Sequence, residues 1–438
     1  MRHVYNLLIY FIAPLVVLHH WWRGLRDPAY RNGLSQRLGF GRRLPGRSIW
    51  IHAVSVGEVQ ASAPLVRALR RRYPATTLLV TTVTPTGAAR ARHLFGEDAE
   101  VRYVPLDLPG AVGRFFDRAQ PRIAIILETE VWPNLFRECG RRSVPLVLAS
   151  ARVSPRSVGR YRRLVPLFRE TLSHGIVIAA QSEDDAARFV SIGASPERTF
   201  VSGNIKFDFE LQPEVPGLGR AWREANAPGR SVWVAGSTHE GEEEVLLEAH
   251  QRVLQSDPDA LLILVPRHPN RFETVAGLLD RSGLNWVRRS SGDKASPRTQ
   301  VVLGDTMGEL MTFYAAADVA FVAGSLVTVG GHNLLEPASL ALPMVAGPHN
   351  FNSEDVYRKM LGARAVIEVD DAEQLAAALV ALFADEARRH VMGEHGRGVV
   401  SANRGALARL LGLVEPLLAG PDGRRDAGAA ALVAPAAD

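Results

Sequence analysis

Between Ser48 and Val201 short apolar runs alternate with stretches of helical periodicity. The runs predict strands at Ile49–Val54, Thr77–Val83, Val101–Val104, Ile123–Leu127, Pro145–Ala149, Gly175–Ala180 and Phe200–Val201. Segments such as Val59–Arg72 and Asp184–Ile192 space their apolar residues by three and four and predict helices. Around Phe209–Arg230 the pattern breaks. The stretch "FELQPEVPGLGRAWREANAPGR" holds three prolines and three glycines and reads as a linker. A second series follows, with strands predicted at Val232–Ala235, Leu261–Val265, Val301–Leu303, Val319–Val322, Pro343–Ala346 and Ala365–Glu368. Helices fit Glu242–Gln255, Asn333–Ala341 and Ala372–Phe383. Alternation of this kind marks βαβ units on a parallel sheet. The expected architecture is α/β: two doubly wound, Rossmann-like halves that bind ligands at the carboxyl ends of their strands, in the cleft between them.

The first residues stand apart. From Val4 to Trp22 there are nineteen residues without Asp, Glu, Lys or Arg, close to the ~20 that cross a bilayer. Trp21 and Trp22 suit an interfacial belt, and Arg23, Arg26 and Arg31 follow. The segment is read as membrane-associated, spanning or interfacial, with a buried first helix as the other reading. If it spans, the arginines put the main body on the cytoplasmic side. The expected divisions are a membrane segment at 1–25, a first domain at 26–208, a linker at 209–230, a second domain at 231–418 and a disordered low-complexity tail at 419–438.

Composition narrows the chemistry. With 438 residues and 47% hydrophobic content, two cores are affordable. The single cysteine, Cys139, excludes a disulfide framework and a cysteine-cluster metal site. Net charge is +5, and only three of the 51 basic residues are lysine: Lys206, Lys294 and Lys359. The arginine bias is either codon usage or a sign of an anionic partner, since arginine grips phosphates and carboxylates bidentately. No dense His/Asp cluster at ligand spacing demands a metal, and no cofactor is called for. The basic residues lack the interleaved aromatics of a nucleic-acid platform.

Polar residues gather just after the predicted strands. In "IWIHAVSVGEVQ", Gly57 would allow a tight turn and Glu58 lies in the first turn of the next helix. A carboxylate there either complements the helix dipole or serves as a general base in the cleft. In "ILETEVWPNL", Glu128 and Glu130 follow a strand, and in an extended stretch they point the same way. Two such charges need a cation, a donor or a raised pKa, and Arg152 after the next strand is a natural partner. In "VAGSTHEGEE" a Gly-Ser-Thr turn opens a helix, and Ser237 and Thr238 suit a phosphate or carboxylate. "VPRHPNRF" supplies Arg267 and His268, and "GDTMGEL" supplies Gly308 and Glu309. "GSLVTVGGHNLLEPA" gives a glycine loop, His332, Asn333 at an expected N-cap and Glu336. Glu336 can hydrogen-bond ribose hydroxyls. Four polar turns in one half describe a nucleotide pocket.

Read in order, "WIHAVSVGEV", "ILETEVWPNL", "ASARVSPRS", "AGSTHEGEE", "VPRHPNRF", "GDTMGEL" and "GGHNLLEPA" resemble the motifs of the 3-deoxy-D-manno-octulosonic acid (Kdo) transferases of lipopolysaccharide biosynthesis. The resemblance runs from about Arg26 to Leu413. It implies a GT-B fold, CMP-Kdo as donor, a lipid A precursor (lipid IVA) as acceptor, inversion without a metal, and attachment to the cytoplasmic face of the inner membrane. It makes Glu58 the proton acceptor. It assigns CMP contacts to Pro266, Arg267, Met307, Gly308, Glu309, Asn333, Leu334, Leu335 and Glu336.

That acceptor carries two phosphates, and "ARVSPRSVGRYRR" places Arg156, Arg160 and Arg163 on one helical face. They either bind acceptor phosphate or solvate the surface. Two rival functions remain: a nucleotide-sugar epimerase of the same two-domain build, and a non-catalytic protein holding anionic lipid at a membrane surface.

Overall fold

The structure, a computed structural model, describes residues 2–26, 30, 33–128, 130–153, 158, 175–209 and 211–419. The chain divides into two compact units. The first holds the residues up to Asp208 together with those from Arg404 onward; the second holds Phe209–Asn403.

The first unit is built on a seven-stranded sheet. In chain order the strands are β1 (Ser48–His52), β2 (Thr77–Thr82), β3 (Glu100–Tyr103), β4 (Pro121–Leu127), β5 (Leu146–Ala151), β6 (Val177–Ala180) and β7 (Thr199–Val201), and they lie in the order 3-2-1-4-5-6-7. All pairings are parallel. Helices cover both faces, so the strands are continuous apolar runs. Alternate residues of β1 go to opposite sides. Trp50 packs with Phe115 and Phe116 on one face, while Ile49 and Ile51 join Leu65, Val80 and Ile125 on the other. β1 ends two residues earlier than predicted, at His52, where the Val54 N–H leaves the ladder although its C=O still accepts the Val83 N–H at 3.2 Å. The Val54 N–H donates to Glu58, and the Val54 C=O also accepts from Thr82 Oγ1 at 2.8 Å.

The second unit repeats the design with β8 (Val232–Thr238), β9 (Leu261–Pro266), β10 (Trp286–Arg288), β11 (Val301–Leu303), β12 (Val319–Val322), β13 (Met344–Ala346) and β14 (Val366–Glu368), in the order 10-11-9-8-12-13-14. β10 has no apolar run in the sequence because it is a half-buried edge strand of three residues, Trp-Val-Arg. Crowding fixes Gly236 among the glycines here. A Cβ on Gly236 in β8 would lie 2.1 Å from the hydroxyl of the buried Tyr314.

Three expectations change. The segment 209–230 is not a plain linker, because Val215–Asn226 is a helix of the second unit. Pro216 opens it, Gly219 is the notch where it meets Ala315, and Pro228 lies just beyond its end. The punctuation that looked like a linker is a helix start, a close contact and a helix stop. The C-terminal half does not extend to 418. The helix Ala406–Ala419 belongs to the first unit, where Leu410, Leu411, Val414 and Leu418 enter the core beside Ile49 and Ile51. Asp208 fastens its start by accepting from the N–H groups of Gly405, at 2.7 Å, and Leu407, at 2.5 Å. The helix expected at Asn333–Ala341 is only Leu335–Ser339. The tail from 420 lies outside the described residues.

The first helix, α1 (Arg2–Arg26), runs through Pro14. Among the described residues it is the one helix long and apolar enough to cross a membrane. Most of its apolar side chains are exposed, Phe11 at 71% and Leu15 at 64%, which is not how a core helix sits.

Leu410→Ala should destabilise the first unit by roughly 2–5 kcal/mol, the usual cost of emptying a buried leucine site. Calorimetry should show the first unit's transition falling while that of residues 209–403 stays in place. A fall confined to the second unit's transition would return the helix to the C-terminal half.

Candidate active site

In each sheet the strand order reverses once, between β1 and β4 and between β8 and β12. A doubly wound sheet opens a crevice at that point, beyond the carboxyl ends of the strands. The candidate residues after β1, β4 and β8 lie at these two places.

In the first unit, Ser55 caps the helix Val56–Arg72 and Glu58 sits in its first turn. Glu58 Oε2 accepts the Val54 N–H at 2.5 Å, and Oε1 lies 3.4 Å from the Ser55 hydroxyl. This resembles a capping box reaching one residue further back. The dipole reading and the base reading therefore describe the same half-buried carboxylate. Burial above all raises its pKa, to about 8; Glu128 and Glu130 add to the rise, while the Val54 N–H and Lys206 oppose it. Glu130 accepts from Trp132 Nε1 at 2.8 Å, and its pKa is also raised, chiefly by burial. Glu128 pairs with Lys206 Nζ at 2.8 Å. Three carboxylates and one lysine thus meet at the switch point.

Several details differ from the sequence reading. Glu128 is not extended; its φ is +58°, so its alignment with Glu130 does not follow from strand alternation. Its cation is Lys206 rather than Arg152. Lys206 lies on a turn after β7, and its signal in the sequence was a lysine where arginine is the rule. Gly57 has no left-handed φ, and a Cβ there would meet only Ser55 Oγ, at 3.9 Å. The backbone does not need glycine at 57; its absent side chain leaves the helix surface beside Glu58 bare. Arg156, Arg160 and Arg163 lie outside the described residues.

In the second unit, β8 shifts register between Gly236 and Thr238, and Ser237 between them has φ +65°. A serine in that region is uncommon and strained, a state that concentrates at functional sites. Thr238 donates its hydroxyl to Glu243 at 3.1 Å, and its C=O accepts the Arg267 N–H at 3.0 Å. Glu242, fully buried, accepts from the N–H groups of His239, Gly324, Ser325 and Leu326 at 2.8 to 3.1 Å. It binds the turn after β8 to the glycine loop after β12. Gly324 has φ +72°, and a Cβ there would lie 2.9 Å from the His332 ring.

Three histidines converge at this turn. His239 Nε2 lies 2.8 Å from His332 Nε2, and the His239 and His268 rings are 5.5 Å apart. Burial first, then neighbouring histidines and Arg267, holds His239 down to about 4 and His332 to about 3. His268 is lowered as well, by burial first and then by Arg267 and Arg271. Arg271 is neutralised by Glu243 at 3.0 Å and Glu240 at 3.4 Å. Arg267 has no carboxylate within 4 Å among the described residues, so its charge is available to an anion.

The remaining positions surround the same strand end. Leu310 and Tyr314, just past Met307, Gly308 and Glu309, lie against Gly236. Glu309 is held by Arg289, and Met307 is 64% exposed. Asn333 accepts the Leu335 N–H at 3.1 Å and donates to Glu336 at 3.2 Å, so it steadies the helix from one place before the cap. Leu334 and Leu335 are buried at 1% and 2% exposure. Sequence reasoning missed His239, Glu242 and Glu243 as organisers of this turn; the acidic run "HEGEE" was its signal.

Two parallel α/β units with these strand-end sites define a glycosyltransferase of the GT-B type. Residues 32–209 match the model of 3-deoxy-D-manno-octulosonic-acid transferases (Kdo transferases), and residues 230–399 match that of glycosyl transferases group 1. The chain is 40% identical to the 3-deoxy-D-manno-octulosonic acid transferase of Haemophilus influenzae, over 95% of this chain and 99% of that one. It is 38% identical to the Bordetella pertussis enzyme of the same name, with the same coverage. The chain belongs to the Kdo transferase family: it is an enzyme that transfers Kdo in lipopolysaccharide biosynthesis. Among solved structures, a glycosyltransferase from Rickettsia africae is 14% identical with a TM-score of 0.55, over 86% of this chain and all of that one. A UDP-N-acetylglucosamine 2-epimerase described as putative, from Listeria monocytogenes, is similar at 14% and 0.54, over 86% of this chain and 98% of that one. At such identity both likenesses are of fold alone.

The raised pKa of Glu58 carries a sign. Between the ordinary carboxylate value and about 8 the folded form binds a proton that the unfolded form has lost. Stability contributed by this residue therefore falls as pH rises across that window. Glu58→Gln should melt progressively higher than wild type as pH goes from 5 to 9. A melting difference that does not change with pH would show that Glu58 ionises normally.

Proposed function

We propose that this enzyme takes CMP-Kdo as donor and a lipid A precursor as acceptor, with Glu58 as general base, at the cytoplasmic face of the inner membrane. The observation that carries the reading is the Glu58 carboxylate, fixed by the Val54 N–H and made more basic by burial. One oxygen is engaged by the backbone, and the other has only a long contact with a hydroxyl. A carboxylate held this way can take the proton of an acceptor hydroxyl. The freed oxygen then forms a bond to the anomeric carbon of Kdo. The bond from that carbon to the phosphate oxygen breaks, and its electron pair leaves with CMP. Attack opposite the leaving group inverts the centre.

The second unit supplies the donor side of this reading. Ser237 and Thr238 offer hydroxyl and backbone donors to phosphate, as turns of this kind do. Arg267 supplies an uncancelled charge beside neutral histidines. Asn333 and Glu336 suit the ribose, Gly308 and Met307 leave open surface, and Pro266, Glu309, Leu334 and Leu335 complete the contacts. Lys206 holds Glu128 on the acceptor side, with Glu130 and Arg152 as further polar groups there. Arg156, Arg160 and Arg163 are proposed to take acceptor phosphate.

Glu58→Gln should lower kcat by ~10²–10⁴, the usual contribution of a general base, with CMP affinity unchanged. In the wild type kcat should rise with pH toward about 8, because the base acts only when unprotonated. Turnover of the variant at the wild-type rate would leave Glu58 as a cap residue alone. Arg267→Gln should weaken CMP binding about ten- to a hundredfold, since a hydrogen bond to a charged group is worth ~1.5–3 kcal/mol. Calorimetric titration with CMP checks this, and an unchanged Kd would remove Arg267 from the donor site.

A further inference from the structure

We infer that α1 lies flat between the first unit and the membrane surface, with both of its ends on the same side of the bilayer, and does not cross it. The inference deepens the proposed membrane attachment and rests on it. Its grounds are where the helix is fastened and which of its faces is covered.

The start of the helix is tied to the body. Tyr5 donates its hydroxyl to Asp107 Oδ2 at 2.8 Å, and Asn6 Oδ1 accepts from Asn134 Nδ2 at 2.8 Å. Asp107 is 1% exposed and also accepts the N–H groups of Asn134 and Leu135, at 2.9 and 2.8 Å. The anchor is therefore a rigid part of the unit. The chain beyond the helix returns to the same place. Gln36 accepts the Tyr103 N–H at 3.0 Å, Arg37 C=O accepts the Leu106 N–H at 2.7 Å, and the Arg37 guanidinium lies 4.3 Å over the Tyr103 ring. Both flanks of α1 thus close on one loop, residues 103–107.

Geometry then forbids a crossing. A helix of 25 residues is roughly 37 Å long. If it ran through the bilayer from the loop, residues 27–33 would have to return across about 30 Å of hydrocarbon before the helix that begins at Leu34. Seven residues reach at most ~25 Å when fully extended, and they include Asp27 and Arg31. Charges and unpaired backbone do not lie in hydrocarbon.

The two faces of the helix agree with this. Val4, Leu8, Phe11, Leu15, Leu18 and Trp22 follow each other at spacings of four and three and are 54–71% exposed. On the other side Ala13, at the middle, is buried, and Tyr5, Ile9, Val16 and Val17 are half-buried. A spanning helix would be bare all round, whereas this one is partly shielded along one side. The occupant of the open side is a lipid surface. The apolar stripe ends in Trp21 and Trp22, which suit the headgroup level, and residues 1–26 hold three arginines, Arg2, Arg23 and Arg26, and three histidines, His3, His19 and His20, with no acidic residue. That balance complements anionic headgroups.

Sidedness of labelling tests the inference. Cys139 is 2% exposed and gives little background. His3→Cys marks the start of the helix, and Glu97→Cys, on an exposed turn of the body, marks the body's face. A membrane-impermeant maleimide is applied to intact cells and to inside-out membrane vesicles, after fractionation. The expected result is that both cysteines label in inside-out vesicles and neither in intact cells. Labelling of residue 3 from the face opposite to residue 97, or from neither face, overturns the flat orientation while leaving membrane attachment standing. Recovery of the protein wholly in the soluble fraction overturns attachment itself, and the orientation with it.

Discussion

Carboxylates that accept backbone N–H groups hold the loops of both units in place. Asp208 fastens Gly405 and Leu407. Asp107 fastens Asn134 and Leu135. Asp185 takes the Val153 N–H at 3.1 Å, and Asp318 takes that of Val232 at 2.8 Å. Glu242 gathers four donors from two loops. Parallel strands leave their terminal N–H groups unpaired at each loop, and a buried donor without a partner costs ~1–3 kcal/mol. A charged acceptor satisfies several of them at once and fixes the direction in which the chain leaves the sheet. The helices, the turns after β8 and β12 and the anchor of α1 all take their positions from such contacts.

The same interaction separates an enclosed carboxylate from a half-open one. Glu242 is fully enclosed, with four donors on its two oxygens, and has no room for a substrate proton. Glu58 has one backbone donor on one oxygen, lies half-open, and shares its surroundings with two other carboxylates. Neighbouring negative charge and partial dehydration both favour its protonated form. A group of this kind is costly to keep ionised at rest and correspondingly eager for a proton when ionised. The second unit shows the opposite polarity, with neutral imidazoles around one uncancelled guanidinium. In the proposed mechanism, proton-seeking and anion-seeking chemistry are carried by different sheets.

Much of this was legible in the chain. Strands buried on both faces must be continuous apolar runs, so the inner strands announced themselves, and the polar residues at their ends followed; the partly exposed edge strands β3, β7 and β14 showed only short apolar runs. The half-exposed β10 did not, because an edge strand needs no such run. The helix Val215–Asn226 was hidden because its prolines and glycine serve as start, notch and stop rather than as flexible chain. Lys206 could not be paired with Glu128 by inspection, since their approach depends on the turn after β7. The membership of Ala406–Ala419 was equally hidden. Amphipathicity shows that a helix has an inner face, but not which core receives it.

That last helix has a consequence for how the molecule is made. Its leucines complete a core whose other members lie before Asp208, and the whole second unit is encoded between them. At a synthesis rate of about 5–20 residues per second, roughly 10 to 40 s separate the emergence of Asp208 from that of Ala419. Through that interval the layer containing Ile49, Ile51 and Val80 lacks its cover, while α1 has already left the ribosome. The first unit is the earliest part of the protein to be translated and the last to be finished.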